Sequence, residues 1–257
     1  MSESTRVSDE WVADINTLYQ GVMVPAPDLV RIYRESGIRV PVHYVPMGVT
    51  PPTAAMRRQQ RGDRFVFLTY SLGEMRKGAE LAVMAFKELF GGDPRFELLI
   101  KTPAERAPWH HAVQNEQISI VNGSLSEQAW AELLAEADCF VFPSRGEGFG
   151  LPPREATLVG TPAIATEWLG LWDVSEWGYP IGVQELRPAP FLGDANHPNA
   201  LWAEPNMDDL RALMTFAVEH HREALDKADC GQAYLSTFTW EAAAKGVLDV
   251  ICGGNHA

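Results

Sequence analysis

The chain has 257 residues, of which 46% are hydrophobic and 21% charged, enough apolar material for a sizeable buried core. That length accommodates one large α/β domain, or one domain and part of a second. Its 21 basic against 34 acidic residues give a net charge of −13, which argues against nucleic-acid capture, since that needs a basic surface. No apolar run approaches the roughly 18 residues of a membrane span. The opening Met1-Ser-Glu-Ser-Thr-Arg6 lacks the apolar centre of a signal peptide, so a cytoplasmic location is expected. Cys139, Cys230 and Cys252 are widely spaced and form no C-x-x-C, which excludes a disulfide framework and a cysteine zinc site.

In chain order, the first 50 residues read as a short helix, the apolar run Gly21–Val24, a helix near Asp28–Ser36 and a strand at Val42–Val45. Pro46, Gly48, Pro51 and Pro52, then a polar basic stretch to Arg61, mark a linker. Beyond it apolar runs alternate with amphipathic stretches. Phe65–Tyr70, Phe96–Ile100, Ile118–Val121, Cys139–Phe142 and Thr161–Thr166 read as strands. Gly78–Phe90, Ser126–Ala137 and Pro153–Val159 read as the helices between them. This alternation predicts βαβ units and a parallel sheet with helices on both faces, the Rossmann-like α/β class. From Met207 the chain reads as helical, with breaks near Cys230–Gly231 and Thr237–Trp240.

The segment Phe142-Pro-Ser-Arg-Gly-Glu-Gly-Phe-Gly-Leu-Pro-Pro-Arg-Glu155 carries the most chemistry. It leads from a strand end, through Gly146, Gly148 and Gly150, into a helix that Pro152 and Pro153 would start. Free N–H groups at that first turn form an anion site, and ligands of open parallel sheets sit at such strand ends. Glu147 and Glu155, eight positions apart, are out of place beside an anion unless they accept hydrogen bonds, and sugar hydroxyls would donate them. Glu155 favouring the positive helix start, with Glu147 solvated, explains the pair equally well. Arg76 and Lys77 stand before a helix, where the dipole disfavours cations, and so point to an anionic ligand.

These residues resemble the signature of the group 1 retaining glycosyltransferases of the GT-B fold. Glu147 and Glu155 match that family's E-x7-E motif, followed by Gly160-Thr-Pro-Ala-Ile164. Met75-Arg-Lys-Gly78, Leu125-Ser-Glu127, Leu133–Asp138, Trp202-Ala-Glu-Pro205 and Phe238-Thr-Trp-Glu241 resemble further elements in the family's order. The likeness implies a single GT-B-type donor domain over residues 53–257, with its final helix packing back on residues 1–52. Residues 1–52 resemble only the last strand–helix–strand of the family's acceptor domain, a short remnant, and the rest of that domain has no counterpart in this sequence. The cations also depart from the family: Ser71-Leu-Gly-Glu-Met75 stands where many members place a Gly-Arg pair.

By the resemblance, the chain would transfer a sugar from a nucleotide-diphosphate sugar such as a UDP or GDP sugar, with retention of configuration. Arg76 and Lys77 would neutralise the diphosphate, Glu147 would hold the transferred sugar and Glu155 the ribose. Backbone N–H groups of Gly148, Phe149, Gly150 and Leu151 would contact sugar and phosphate, and Asn122–Gly123 would lie near the base. No other cofactor and no divalent metal are expected, since cations take the metal's place. The acceptor site would come from a homodimer mate, a separate acceptor-domain chain or the N-terminal segment. The alternative is a non-catalytic nucleotide-sugar-binding module that needs a partner for activity.

Other features read plainly. His110-His111 and His220-His221 are adjacent pairs that point apart on a helix and cannot chelate one ion. Trp168, Trp172 and Trp177 read as packing under a loop in preference to a sugar platform. Ser144 is not in a G-x-S-x-G elbow, and Thr69–Gly73 lacks the G-x-G-x-x-G of a nicotinamide enzyme.

Overall fold

The computed structural model describes residues 3–50, 63–72, 74–103, 113–189 and 199–253. At its centre, strands β3 (Phe65–Tyr70), β4 (Phe96–Thr102), β5 (Ile118–Asn122), β6 (Cys139–Phe142), β7 (Ala163–Thr166) and β8 (Tyr179–Ile181) form one sheet. Their order is β5-β4-β3-β6-β7-β8, and every pairing is parallel. The central strands are continuous apolar runs because both of their faces are covered. Val66, Leu68, Phe140 and Phe142 point to one side, under helices α4 (Glu127–Glu136) and α5 (Leu151–Leu158). Phe67, Leu98, Ile100, Val141 and Ile164 point to the other, under α3 (Ala79–Phe90) and α7 (Met207–Glu219). The fold is the α/β class read from the sequence. Burial pushes the thiol of Cys139 up, so it stays protonated within this core.

The strand order reverses between β3 and β6. From β3 the chain winds outward through β4 and β5, and from β6 it winds the other way through β7 and β8. Loops leaving the carboxyl ends of these two neighbours therefore diverge and leave a crevice between them. Gly78 shows how closely the two loops meet. It adopts φ 67°, and a Cβ there would lie 1.9 Å from the carbonyl oxygen of Pro143.

Residues 3–50 hold helix α1 (Asp9–Leu18), β1 (Val22–Val24), α2 (Pro27–Glu35) and β2 (Val42–Tyr44), with β1 and β2 parallel. Val24, Leu29, Ile32, Tyr33 and Val42 form a small core that also takes in Leu169, with Trp168 and Trp172 packed against it. Trp177, the last residue of the short helix α6 (Val174–Trp177), is fully buried under the sheet. The last helix, α9 (Trp240–Gly253), returns to this unit. Trp240 donates to Thr50 Oγ1 at 3.0 Å, and Gly246 lies against Val45. The boundary read at 52/53 falls outside the described residues.

The structure differs from the sequence reading at several elements. The helical break expected at Cys230–Gly231 is absent, because α8 runs unbroken from His221 to Leu235 and the break stands at His220. Gly231 serves packing instead: a Cβ there would come within 2.6 Å of the Trp177 carbonyl oxygen and 2.8 Å of Thr157. Strand β8 and the antiparallel hairpin β9 (Val183–Pro188) and β10 (Leu201–Pro205) have no counterpart in that reading. Every residue of β9 is exposed, so it carries no alternation to reveal it. His110 and His111 lie outside the described residues.

Candidate functional site

The site is built from the two loops that leave β3 and β6. A single 3-10 turn, Met75–Lys77, follows β3, and Arg76 and Lys77 on it are both buried. Residues 143–150 follow β6 and place Glu147 against them. Three donors converge on Glu147 Oε1: Lys77 Nζ at 2.7 Å, Ser144 Oγ at 2.8 Å and Arg76 Nη1 at 3.2 Å. Arg76 Nη1 also donates to the Gly146 carbonyl at 2.9 Å. Arg145 fastens the two loops. Its backbone N–H donates to the Arg76 carbonyl at 2.7 Å and its guanidinium donates to Met75 O and Glu80. The same guanidinium is bidentate to Glu204 on β10.

Arg76 has two further carboxylate partners. Glu3 Oε2 lies 3.0 Å from Arg76 Nε, and Glu74 Oε1 lies 2.9 Å from Arg76 Nη2. The carbonyl oxygen of Glu3 rests over Gly146, 1.9 Å from where a Cβ would stand. Burial pushes the Glu3 carboxyl above the usual carboxylate range, opposed by the charge of Arg76. Two buried cations thus face three carboxylates. Glu3, carried by the segment that leads into α1, is the one not held within the two loops.

Beyond Glu147 the chain enters α5. Gly150 adopts φ 73°, and Leu151, Pro152 and Pro153 make the first turn, of which Leu151 and Pro152 line the adjoining cavity. Among the described residues, the N–H groups of Gly148, Phe149 and Gly150 donate to no main-chain carbonyl. Phe149 points away, packed with Trp172 and Phe238, and its carbonyl accepts from Arg154 Nε at 3.0 Å. Arg154, 0% exposed, is bidentate to Asp173 at 2.6 and 2.8 Å and donates to the Gly170 carbonyl. Phe149, Trp172, Trp177 and Phe238 surround its guanidinium.

A cavity of about 440 Å³ opens at the carboxyl ends of β3–β5, lined by Tyr70, Lys101, Ser124, Trp130, Leu151 and Glu155 among others. Trp130 Nε1 donates to Glu155 Oε2 at 2.8 Å, and its ring meets Tyr70 edge-on. Burial raises the Glu155 carboxyl, an effect the Trp130 hydrogen bond opposes. Asn122 is exposed and stands outside the cavity lining. Gly123, at φ 88°, turns its carbonyl onto Lys101 Nζ.

The structure thus brings together Arg76, Lys77 and Glu147, and sets Glu155 with Leu151 on the adjoining cavity wall. Sequence reasoning missed Glu3, Lys101, Trp130, Arg145 and the Arg154–Asp173 pair. A charged residue inside an otherwise apolar or proline-led run, as in Phe96-Glu-Leu-Leu-Ile-Lys101 and Pro152-Pro-Arg154, was the available signal.

The family described as "Glycosyl transferases group 1" matches residues 53–178. Mannosylfructose-phosphate synthase of Agrobacterium fabrum is 24% identical over 236 residues, 82% of this chain and 48% of that protein. The chain therefore spans about half the length of that relative. Among solved structures, sucrose-phosphate synthase from Thermosynechococcus elongatus superposes with TM-score 0.73 at 20% identity, over 95% of this chain and 60% of that one. A TarM mutant of S. aureus, solved in a complex that includes UDP, superposes with TM-score 0.72 at 12% identity, over 94% and 45%. No described helix is long and apolar enough to cross a membrane.

Proposed function

We propose, from the premise that residues 53–178 make this chain a member of the group 1 glycosyltransferases with the GT-B fold, that it transfers a sugar from a nucleotide-diphosphate sugar with retention of configuration. The observation that carries this reading is the meeting of Arg76, Lys77 and Glu147 at the β3/β6 crevice, beside the cavity that holds Glu155. The crevice takes the diphosphate, and the cavity takes the nucleoside with its ribose hydroxyls on Glu155.

Departure of the diphosphate is the hard step, because it leaves negative charge on the phosphate and an oxocarbenium-like sugar. Arg76, Lys77 and the first turn of α5 stabilise that charge from fixed positions, a contribution of about 3–4 kcal/mol for a key donor. They stand where a divalent metal would otherwise act. Glu147, held by Lys77, Arg76 and Ser144, accepts from the hydroxyls of the sugar. The leaving phosphate takes the acceptor's proton, so no protein base is needed. Within this sequence, residues 1–52 carry part of an acceptor-type domain.

Glu3 competes for Arg76, so Glu3→Gln is expected to tighten nucleoside-diphosphate binding roughly 3- to 10-fold by calorimetry. The gain should shrink as the pH falls toward the raised pKa of Glu3, because protonation neutralises the wild-type carboxylate too. Unaltered affinity would show that Glu3 does not guard the cations.

Release of nucleoside diphosphate from UDP-, GDP- and ADP-sugars tests the reading itself. Turnover by the purified chain supports the transferase, whereas tight binding with no turnover in any acceptor mixture favours a binding module. Glu147→Gln should weaken the sugar nucleotide about tenfold more than the free nucleotide, since it loses charge-assisted bonds to the sugar. Equal losses for the two ligands would contradict its sugar-binding role.

A further inference from the structure

Lys101 stands near the end of β4 and is 3% exposed, yet it lines the cavity. Its Nζ donates to the carbonyl of Thr102 at 3.0 Å and to that of Gly123. Among the described residues no carboxylate forms an ion pair with it, and burial alone pulls its ammonium below the usual lysine range. A buried cation with no counter-charge among the described residues is costly. An ammonium has three N–H groups, and two here are engaged by main-chain carbonyls. The third has an electron-rich acceptor to gain from whatever fills the cavity.

The position of Lys101 says which part of a ligand that is. The cations Arg76 and Lys77 lie at the β3/β6 crevice, and Glu155 lies on α5 beside it. Lys101, Pro103 and Ser124 line the part of the cavity built from the tips of β4 and β5, one and two strands farther along the sheet. A nucleotide laid with its phosphates on Lys77 and its ribose on Glu155 brings its base there. Uracil and thymine carry a carbonyl oxygen at ring position 4, and guanine at position 6, where cytosine and adenine carry an amino group. An ammonium accepts no hydrogen bond, so it attracts the first set and is left facing a donor by the second.

We propose that Lys101 selects the base of the donor, favouring keto-edged nucleotides (uridine, thymidine or guanosine diphosphates) over cytidine and adenosine diphosphates. This rests on the donor-site reading given above. Two carbonyls fix the ammonium, so its remaining donor direction is set before the ligand arrives. Trp130 and Tyr70 bound the same space with aromatic surface that is indifferent to which base is present.

The test is calorimetric titration with uridine, cytidine, guanosine and adenosine diphosphates, for the wild-type chain and for Lys101→Met, which keeps the apolar stem. Uridine and cytidine diphosphates share sugar and phosphates, so their ratio isolates the ring edge. The wild type is expected to bind uridine diphosphate at least tenfold tighter than cytidine diphosphate. In Lys101→Met that ratio should fall to within about threefold, by loss of uridine diphosphate affinity. Equal wild-type affinities for these two, a preference for cytidine or adenosine diphosphate, or an equal loss of all four in the variant would each overturn the proposal. Should Lys101→Met not fold, the wild-type ratio still decides. A wild type that binds none of the four removes the donor site itself, a result distinct from indiscriminate binding.

Discussion

Lys77→Met is expected to weaken nucleoside-diphosphate binding by roughly 10- to 150-fold, the equivalent of the ~1.5–3 kcal/mol assigned to hydrogen bonds of a charged group. Lys77 is buried with its ammonium 2.7 Å from Glu147 and 5.4 Å from the ring centroid of Phe142. A methionine keeps the stem against that ring and removes only the charge. Glu147 would still accept from Arg76 and Ser144, so its carboxylate is not orphaned and the fold survives. The expected pattern is therefore a large loss of affinity with a modest fall in melting temperature. An unchanged titration curve in a folded variant would remove Lys77 from the phosphate site.

The second large effect falls on stability. Arg154→Met leaves Asp173 buried with Tyr234 Oη, 3.1 Å away, as its remaining side-chain donor among the described residues. Breaking a buried ion pair from one side costs about 3–5 kcal/mol, against a total stability of about 5–15 kcal/mol. For a chain of this size that corresponds to a fall in melting temperature of roughly 6–20 °C. The carbonyls of Phe149 and Gly170 lose their donor in the same change. Since Phe149 heads the turn into α5, nucleotide affinity should fall alongside stability. The double variant Arg154→Met, Asp173→Leu should regain much of the melting temperature, because an apolar pair can replace a buried ionic one. It should not regain full affinity, because the two carbonyls stay without a donor. A single variant that melts like the wild type would show that the pair contributes little.

These expectations show where the sequence was informative. Apolar runs at Phe65, Cys139 and Thr161, separated by amphipathic stretches, were sufficient for a parallel sheet, because a strand buried on both faces has no room for polar residues. The glycine loop at 146–150 was legible for a similar reason: three glycines between a strand and a proline-led helix have few other uses. Arg76, Lys77 and Glu147 were legible as candidates through their types and local settings. Their mutual contact was not, since it joins positions 70 and 71 residues apart through the β3/β6 pairing.

Contacts with no local signature stayed hidden. Glu3 reaches Arg76 across the whole first unit, and nothing in Ser2-Glu-Ser4 marks it. Gly231 looked like a helix break because glycine is a poor helix former, whereas its role is to let α8 approach Trp177. In the hairpin β9–β10 every residue of β9 is exposed and its apolar Val183 and Leu186 stand three apart, so pattern reading had no alternation to find.

The most direct measurement is a crystal structure of the chain grown with uridine diphosphate. The phosphates are expected between the Met75–Lys77 turn and the first turn of α5, the ribose on Glu155, and the Glu3 carboxylate moved off Arg76. Nucleotide seated elsewhere, for instance in the groove between Trp11, Tyr19 and Tyr33, with Glu3 still on Arg76, would contradict it.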